Sequence, residues 1–252
     1  MTVTTPAMIL STLRYGETSK IVRLATPGHG VLSAIAKGAS RPRSRFGASL
    51  QVLSVGQAHV LLSRRRDLHT LTGFELAALP VRLAEDVARF SAATAMAELV
   101  IAVSAAEPNA SVFAALVEEV ASLERTPPSD VSPVALRALW RLIGVLGFAP
   151  TVECCVIDAR QLPAGAPVAF GAVEGGVLCD ACAAGRDVAR LPPEALADLR
   201  RLLDPAAPLP VLTPPHAAAH HRLLARYARI HAAEGARLPA LEFWEGQGKA
   251  RR

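Results

Sequence analysis

The sequence predicts an α+β protein: a small β-barrel at the N-terminus, then an all-helical domain interrupted by a cysteine-bearing insertion. Three observations predict it. Apolar and polar residues alternate across much of the first eighty positions; from residue 83 apolar residues recur at three- and four-residue steps; and residues 150–187 hold all four cysteines among prolines and glycines. With 252 residues, 51% of them hydrophobic, the chain has core material for one large or two modest domains. Aromatics make up only 4%, so that core is expected to be Leu, Val and Ala.

The stretch Met8–Leu50 organises the first domain, placed at residues 1–80. Ile9, Leu13, Ile21, Val22, Leu24, Val31, Leu32 and Ile35 keep a period of two. Tyr15-Gly16, Thr26-Pro27-Gly28-His29-Gly30 and Lys37-Gly38 punctuate it, which gives three antiparallel strands. Gln51–Val55, Gln57–Leu62 and Leu68–Phe74 supply the further strand segments. About five short strands with glycine turns suit a barrel of the oligonucleotide-binding (OB) fold, a pattern other small barrels share.

The second domain is placed at residues 81–252. Val87, Phe90, Ala93, Thr94, Ala97, Val100 and Ile101 mark its first helix. A second is expected over Ser111–Leu123, with Ser111 as its cap and Glu118 and Glu119 on its outer side. A third is expected from near Val134 to Gly147, with Trp140 in the core. After the insertion, helices are expected at Pro192–Leu203 and His216–Glu234, joined by the proline-rich connector Pro205–Pro215. From Gly246 onward the tail, with Lys249, Arg251 and Arg252, is expected to be disordered. His216 and His220 stand four apart, but no Glu lies between them, so they carry no metalloprotease logic. His220 and His221 are expected at a solvated helix end.

Charge is distributed unevenly. The net charge is +5, yet residues 1–80 alone carry +7, from ten Lys and Arg against Glu17, Asp67 and Glu75. Residues 81–150 carry −3. The candidate contacts to a nucleic-acid backbone are Arg14, Lys20, Lys37, Arg41, Arg43, Arg45, Arg64, Arg65 and Arg66. No N-terminal stretch reads as a signal peptide and no apolar run reaches the roughly 18–20 residues that span a bilayer, so no membrane partner and a cytoplasmic location are expected.

Four cysteines in a cytoplasmic chain point to metal before disulfides. Cys179-Asp-Ala-Cys182 follows Gly175-Gly176, the arrangement of a ribbon hairpin carrying two thiolates toward one ion. The other half is Cys154-Cys155, with 23 residues between Cys155 and Cys179. Two donor sets are open: Cys154, Cys155, Cys179 and Cys182, or Cys155, Asp158, Cys179 and Cys182. Either would make a zinc-ribbon-like insertion with one structural zinc, because four donors close the site. A catalytic zinc needs an open position and a nearby base, and the insertion has no His. No catalytic residue is assigned and no enzyme is expected.

Several of these residues carry a family resemblance. Leu13-Arg14-Tyr15-Gly16-Glu17-Thr18-Ser19-Lys20, Thr26-Pro27-Gly28-His29-Gly30 and Ala36-Lys37-Gly38-Ala39-Ser40 resemble the opening of the bacterial RecO family. Gly147-Phe148-Ala149-Pro150, Cys155, Gly175-Gly176, Cys179-Asp180-Ala181-Cys182 and the helix Leu224–His231 extend the resemblance along nearly the whole chain. It implies an OB barrel on a helical domain bearing a ribbon. It also implies a non-catalytic, nucleoid-associated mediator of DNA repair and recombination. Such a protein binds single- and double-stranded DNA and anneals complementary strands. With RecR it assists loading of a RecA-type recombinase onto strands coated by single-strand-binding protein (SSB), whose C-terminal tail would dock on the helical domain. Many members have CxxC on the left of the ribbon; here Asp158 stands in place of the second cysteine. The alternative function is a zinc-ribbon interaction module in transcription, without annealing activity.

Overall fold

The structure is a computed structural model that describes residues 1–63, 65–103, 107–232 and 237–247. It forms two compact units, Met1–Arg125 and Thr126–Arg252.

The first unit begins with strands β1 (Thr2–Tyr15), β2 (Ser19–Thr26), β3 (Gly30–Ala36), β4 (Val55–Leu61) and β5 (Leu68–Ala78). They close a barrel in the order β1-β2-β3-β5-β4. Neighbours pair antiparallel except β3 and β5, which run parallel from Ser33↔Leu68 to Ile35↔Thr70. The 14-residue β1 pairs along one half with β4, Thr2↔Leu61 to Met8↔Val55, and along the other with β2 down to Tyr15↔Ser19. The period of two therefore delivers Ile9, Val22, Leu24, Leu32, Val60 and Leu71 to one interior. Gly56 lies where any Cβ would overlap the Glu75 carbonyl, so only glycine lets β4 and β5 approach there.

Gln51–Ser54, expected as strand, is a turn instead. Leu53 takes φ 71° there, and the turn bonds to β1 through Leu53 N–Ile9 O at 2.7 Å and Ile9 N–Ser54 O at 2.9 Å. Those bonds occupy the place where β1 slips register between Ile9 and Ser11.

The same unit continues with helices α1 (Val81–Ala84), α2 (Val87–Val103) and α3 (Ala110–Arg125). Strand thus gives way to helix near residue 80, while these three helices belong to the same compact unit as the barrel. The cap of α3 is Asn109, whose Oδ1 accepts from Val112 N at 3.0 Å, so Ser111 lies inside the helix. Glu118 faces solvent, but Glu119 is buried rather than outward.

The second unit is built around α4 (Val131–Ile143), which continues into a π-turn, Gly144–Phe148, where Gly147 adopts φ 98°. Helix α4 starts ahead of the expected Val134 because Pro133 falls in its first turn, where a missing N–H costs nothing. The helical stretch Pro128–Phe148, 21 residues with mean hydropathy 1.4, is long and apolar enough to cross a membrane by length and composition. One face of it is core: Leu136, Leu139, Trp140 and Leu142 are buried, as expected for Trp140, and the helix packs on two later ones.

A three-stranded sheet follows, β6 (Val168–Gly171), β7 (Gly176–Leu178) and β8 (Ala189–Leu191), in the order β7-β6-β8. The short helix α5 (Asp180–Ala183) lies between β7 and β8. Then come α6 (Pro193–Leu203), α7 (Pro214–Ala232) and α8 (Pro239–Gln247). Helix α8 overlaps the start of the expected disordered tail. Its Trp244 is buried and stacks on His221 with ring centroids 4.1 Å apart.

That stack overturns the solvated helix end expected for His220 and His221, which are 2% and 5% exposed. Burial holds both imidazoles down, each to about 4. For His220 the neighbouring His216 adds to the effect; for His221 the Trp244 backbone opposes it and His220 adds to it. Both values lie below the ordinary 6.5, so the folded state binds fewer protons than the unfolded one. Their stabilisation is complete above about pH 6.5 and is lost as pH falls toward 4, roughly 2 kcal/mol per histidine by pH 5. The urea midpoint should therefore drop between pH 7 and pH 5. His221→Phe, which keeps the stack on Trp244, should flatten the drop; an unchanged midpoint across that range would contradict the assignment.

Candidate metal centre and nucleic-acid interface

The metal centre lies in the second unit and is made by two similar turns. Cys155-Val-Ile-Asp158 closes with Ala159 N–Cys155 O at 2.9 Å, and Ala159 takes φ 57° to bring the chain round. Cys179-Asp-Ala-Cys182 closes with Ala183 N–Cys179 O at 2.9 Å. Val156 N–Val177 O at 2.9 Å and Val177 N–Thr151 O at 2.9 Å tie the first turn to β7, the strand leading into the second. Gly176 permits this approach, since a Cβ there would overlap the Thr151 carbonyl.

The donor atoms of Cys155, Asp158, Cys179 and Cys182 all lie within 4.8 Å of one another. Cys154 stands outside that group, which corrects the four-thiolate set. It forms an antiparallel bridge with Gln161, and adjacent residues of an extended chain point to opposite sides. The three-residue step of Cys155 and Asp158 brings both donors to the same side that Cys179 and Cys182 face.

The electrostatics of the group are those of donors sharing too few protons. The Cys155 thiol lowers the Asp158 carboxyl to about 2, helped by the Arg160 N–H at 3.1 Å and opposed by desolvation. Burial pushes the Cys155 thiol up, but backbone hydrogen bonds from Cys179, Asp158 and Ile157 outweigh it and leave it lowered. The Cys182 thiol is pushed up to about 12 by its hydrogen bond with Cys179 and by burial. The Cys179 Sγ lies 3.5 Å from Asp158 Oδ2. Three sulfurs and one carboxylate oxygen, gathered this closely, fit a four-coordinate ion at about 2.0–2.3 Å from each, and binding would expel the shared protons. Four protein donors would leave no open coordination position, the pattern of a structural metal site.

The barrel gathers most of the predicted cations at one end. Arg14 is opposite Lys20, Lys20 is opposite Ala36, and Lys37 follows directly. Ser40 N–Thr18 O at 2.8 Å fastens the next loop to the β1–β2 turn. Successive turns, Arg41 N–Gly38 O at 3.1 Å and Ser44 N–Arg41 O at 3.0 Å, hold Arg41, Arg43 and Arg45 exposed. Phe46 anchors that loop in the barrel core, with the Arg45 guanidinium 5.2 Å from its ring centroid. Tyr15, 53% exposed, presents an aromatic ring at the same end.

Arg65 and Arg66 are exposed but elsewhere. They lie in the β4–β5 connection, which leaves the barrel where Leu61 opposes Thr2, at the far end of β1 from Arg14. These two cations therefore stand apart from the Arg14–Arg45 group. Arg64 falls outside the described residues.

Comparison with known proteins agrees with this architecture. Residues 1–80 match the family described as recombination protein O N terminal, and residues 84–239 match recombination protein O C terminal. The chain is 34% identical over 251 residues to the DNA repair protein RecO of Anaeromyxobacter sp. (strain K), covering 96% of this chain and 95% of that protein. It is 32% identical over 199 residues to the DNA repair protein RecO of Symbiobacterium thermophilum, covering 78% of each. It is 31% identical over 188 residues to that of Synechococcus elongatus, covering 72% of this chain and 70% of the other. A closed N-terminal barrel, a helical region bearing a compact cysteine–aspartate group, and similarity along both parts of the chain together show that the chain belongs to the RecO family.

Proposed function

We propose that this protein brings complementary DNA strands together during repair and recombination. Family membership supports a DNA repair and recombination role. The observation that carries the finer reading is the end of the barrel where Arg14, Lys20, Lys37, Arg41, Arg43 and Arg45 stand around exposed Tyr15.

Two strands repel as polyanions. A rim of six cations displaces condensed counterions from each and lowers that repulsion. Backbone neutralisation carries no base readout, so binding has little sequence preference and a steep salt dependence. Arg and Tyr side chains add stacking on unpaired bases. The protein acts in the cytoplasm, on the nucleoid, and breaks no covalent bond. Its partners are single- and double-stranded DNA, RecR, the C-terminal tail of SSB and, through them, a RecA-type recombinase. A zinc ion held by Cys155, Asp158, Cys179 and Cys182 fastens the ribbon.

Annealing of complementary oligonucleotides, bare and coated with SSB, tests this across a salt series. Acceleration that fades steeply with salt is expected. A protein that binds DNA yet leaves the annealing rate unchanged would instead fit an interaction module in transcription.

A further inference from the structure

We infer that a pocket on the second unit binds a phosphorylated nucleoside. The site is independent of the barrel rim and goes beyond the annealing reading.

The pocket lies between β8 and α7 and has a volume of about 320 Å³. That is the small end of the usual ligand range, about 300–1,000 Å³, and suits one nucleotide rather than a length of strand. Buried Leu191 and Leu223 give it an apolar floor. Arg190, Arg222 and Arg226 stand around it with half-buried His216.

The second observation is His220. It lines the same pocket, is 2% exposed, and neither Nδ1 nor Nε2 has a hydrogen-bond partner. A neutral imidazole offers one donor and one acceptor, and burying both unpaired is unfavourable. The two nitrogens point to opposite sides of the ring, so a polar edge of a ligand in the pocket would relieve one of them.

The cations are available for an anion. Arg190 is bound to Asp180 at 3.0 Å and Arg226 to Asp187 at 2.6 Å, and both carboxylates are 85% exposed. Exposed pairs of this kind contribute little and exchange readily. Arg222 has no acidic partner among the described residues. Asp198 on α6 lies near His216, with Glu194 of the same helix beside it. Guanidinium forks match phosphate oxygens, so a phosphate is placed at the Arg rim and its nucleoside over the apolar floor. A bare phosphate would leave the floor and His220 unused. The phosphorylated nucleoside has two sources, a free mononucleotide or the 5′-phosphorylated end of a strand.

Calorimetric titration of the full chain tests this with dAMP, inorganic phosphate, and single-stranded oligonucleotides bearing a 5′-phosphate or a 5′-hydroxyl. Saturable dAMP binding is expected, weakened about tenfold or more by Arg222→Ala, the loss of one charge-assisted contact. His220→Leu should also weaken it. No dAMP binding, equal affinity for inorganic phosphate, or an Arg222→Ala protein that binds dAMP as before would each overturn the site. In a Lys37→Glu, Arg41→Glu background dAMP binding should persist. There, preference for the 5′-phosphorylated oligonucleotide over the 5′-hydroxyl one identifies strand ends as the source, and dAMP binding without that preference identifies the free nucleotide. Loss of annealing in that background with dAMP binding intact separates the two readings.

Discussion

Reversing Lys37 and Arg41 to glutamate is expected to weaken single-stranded DNA binding on the order of 10²-fold at low salt, without unfolding the protein. Both side chains are exposed and pack in no core, so the circular dichroism and melting temperature should stay put. Each lost phosphate contact removes roughly one unit from the slope of log affinity against log salt. The double variant should therefore bind with a slope shallower by about 2. The loss exceeds simple deletion because two carboxylates now face the phosphates beside Arg14 and Lys20. Reversing Arg65 and Arg66 instead should cost much less, since they stand at the other end of β1. Equal losses from the two pairs would show that strands do not use the Arg14–Arg45 rim.

The second large effect concerns the ribbon. Purified protein should carry one zinc ion per chain, and Cys179→Ser should abolish it. Structural zinc contributes about 10–16 kcal/mol in small zinc domains, more than the few hydrogen bonds of a three-stranded sheet replace. The stripped ribbon should open to proteolysis between residues 151 and 191, while the barrel still binds DNA at low salt. Cys154→Ser should leave the zinc content unchanged, and Asp158→Ala should lower the metal affinity. The reverse pattern would restore the four-thiolate set.

The barrel was legible because its alternation is strict: Val22, Leu24 and Leu32, Ala34 all reach the interior through the period of two. The metal group was half legible. Spacing alone put Asp158 and Cys154 on equal terms, and only the Cys154↔Gln161 bridge decides which side each faces. Sequence distance does not say which end of a strand a loop occupies, so the separation of Arg65 and Arg66 from Arg14 shows only in the pairing of β1 with β4. His220 and His221 were unreadable for a different reason. The burial of His221 depends on α8, whose Trp244 arrives from more than twenty residues downstream. Ser111 lost the α3 cap to Asn109 two residues earlier, within the range by which helix ends drift.

The long first strand has a consequence during translation. Its far half finds a neighbour in β2 almost at once, whereas the half from Thr2 to Met8 waits for residues 55–61. Between Tyr15 and Leu61 the ribosome adds 46 residues, about 2–9 s at usual elongation rates. Throughout that interval Thr2–Met8 lacks its β4 partner, a stretch of backbone open to pairing with another chain.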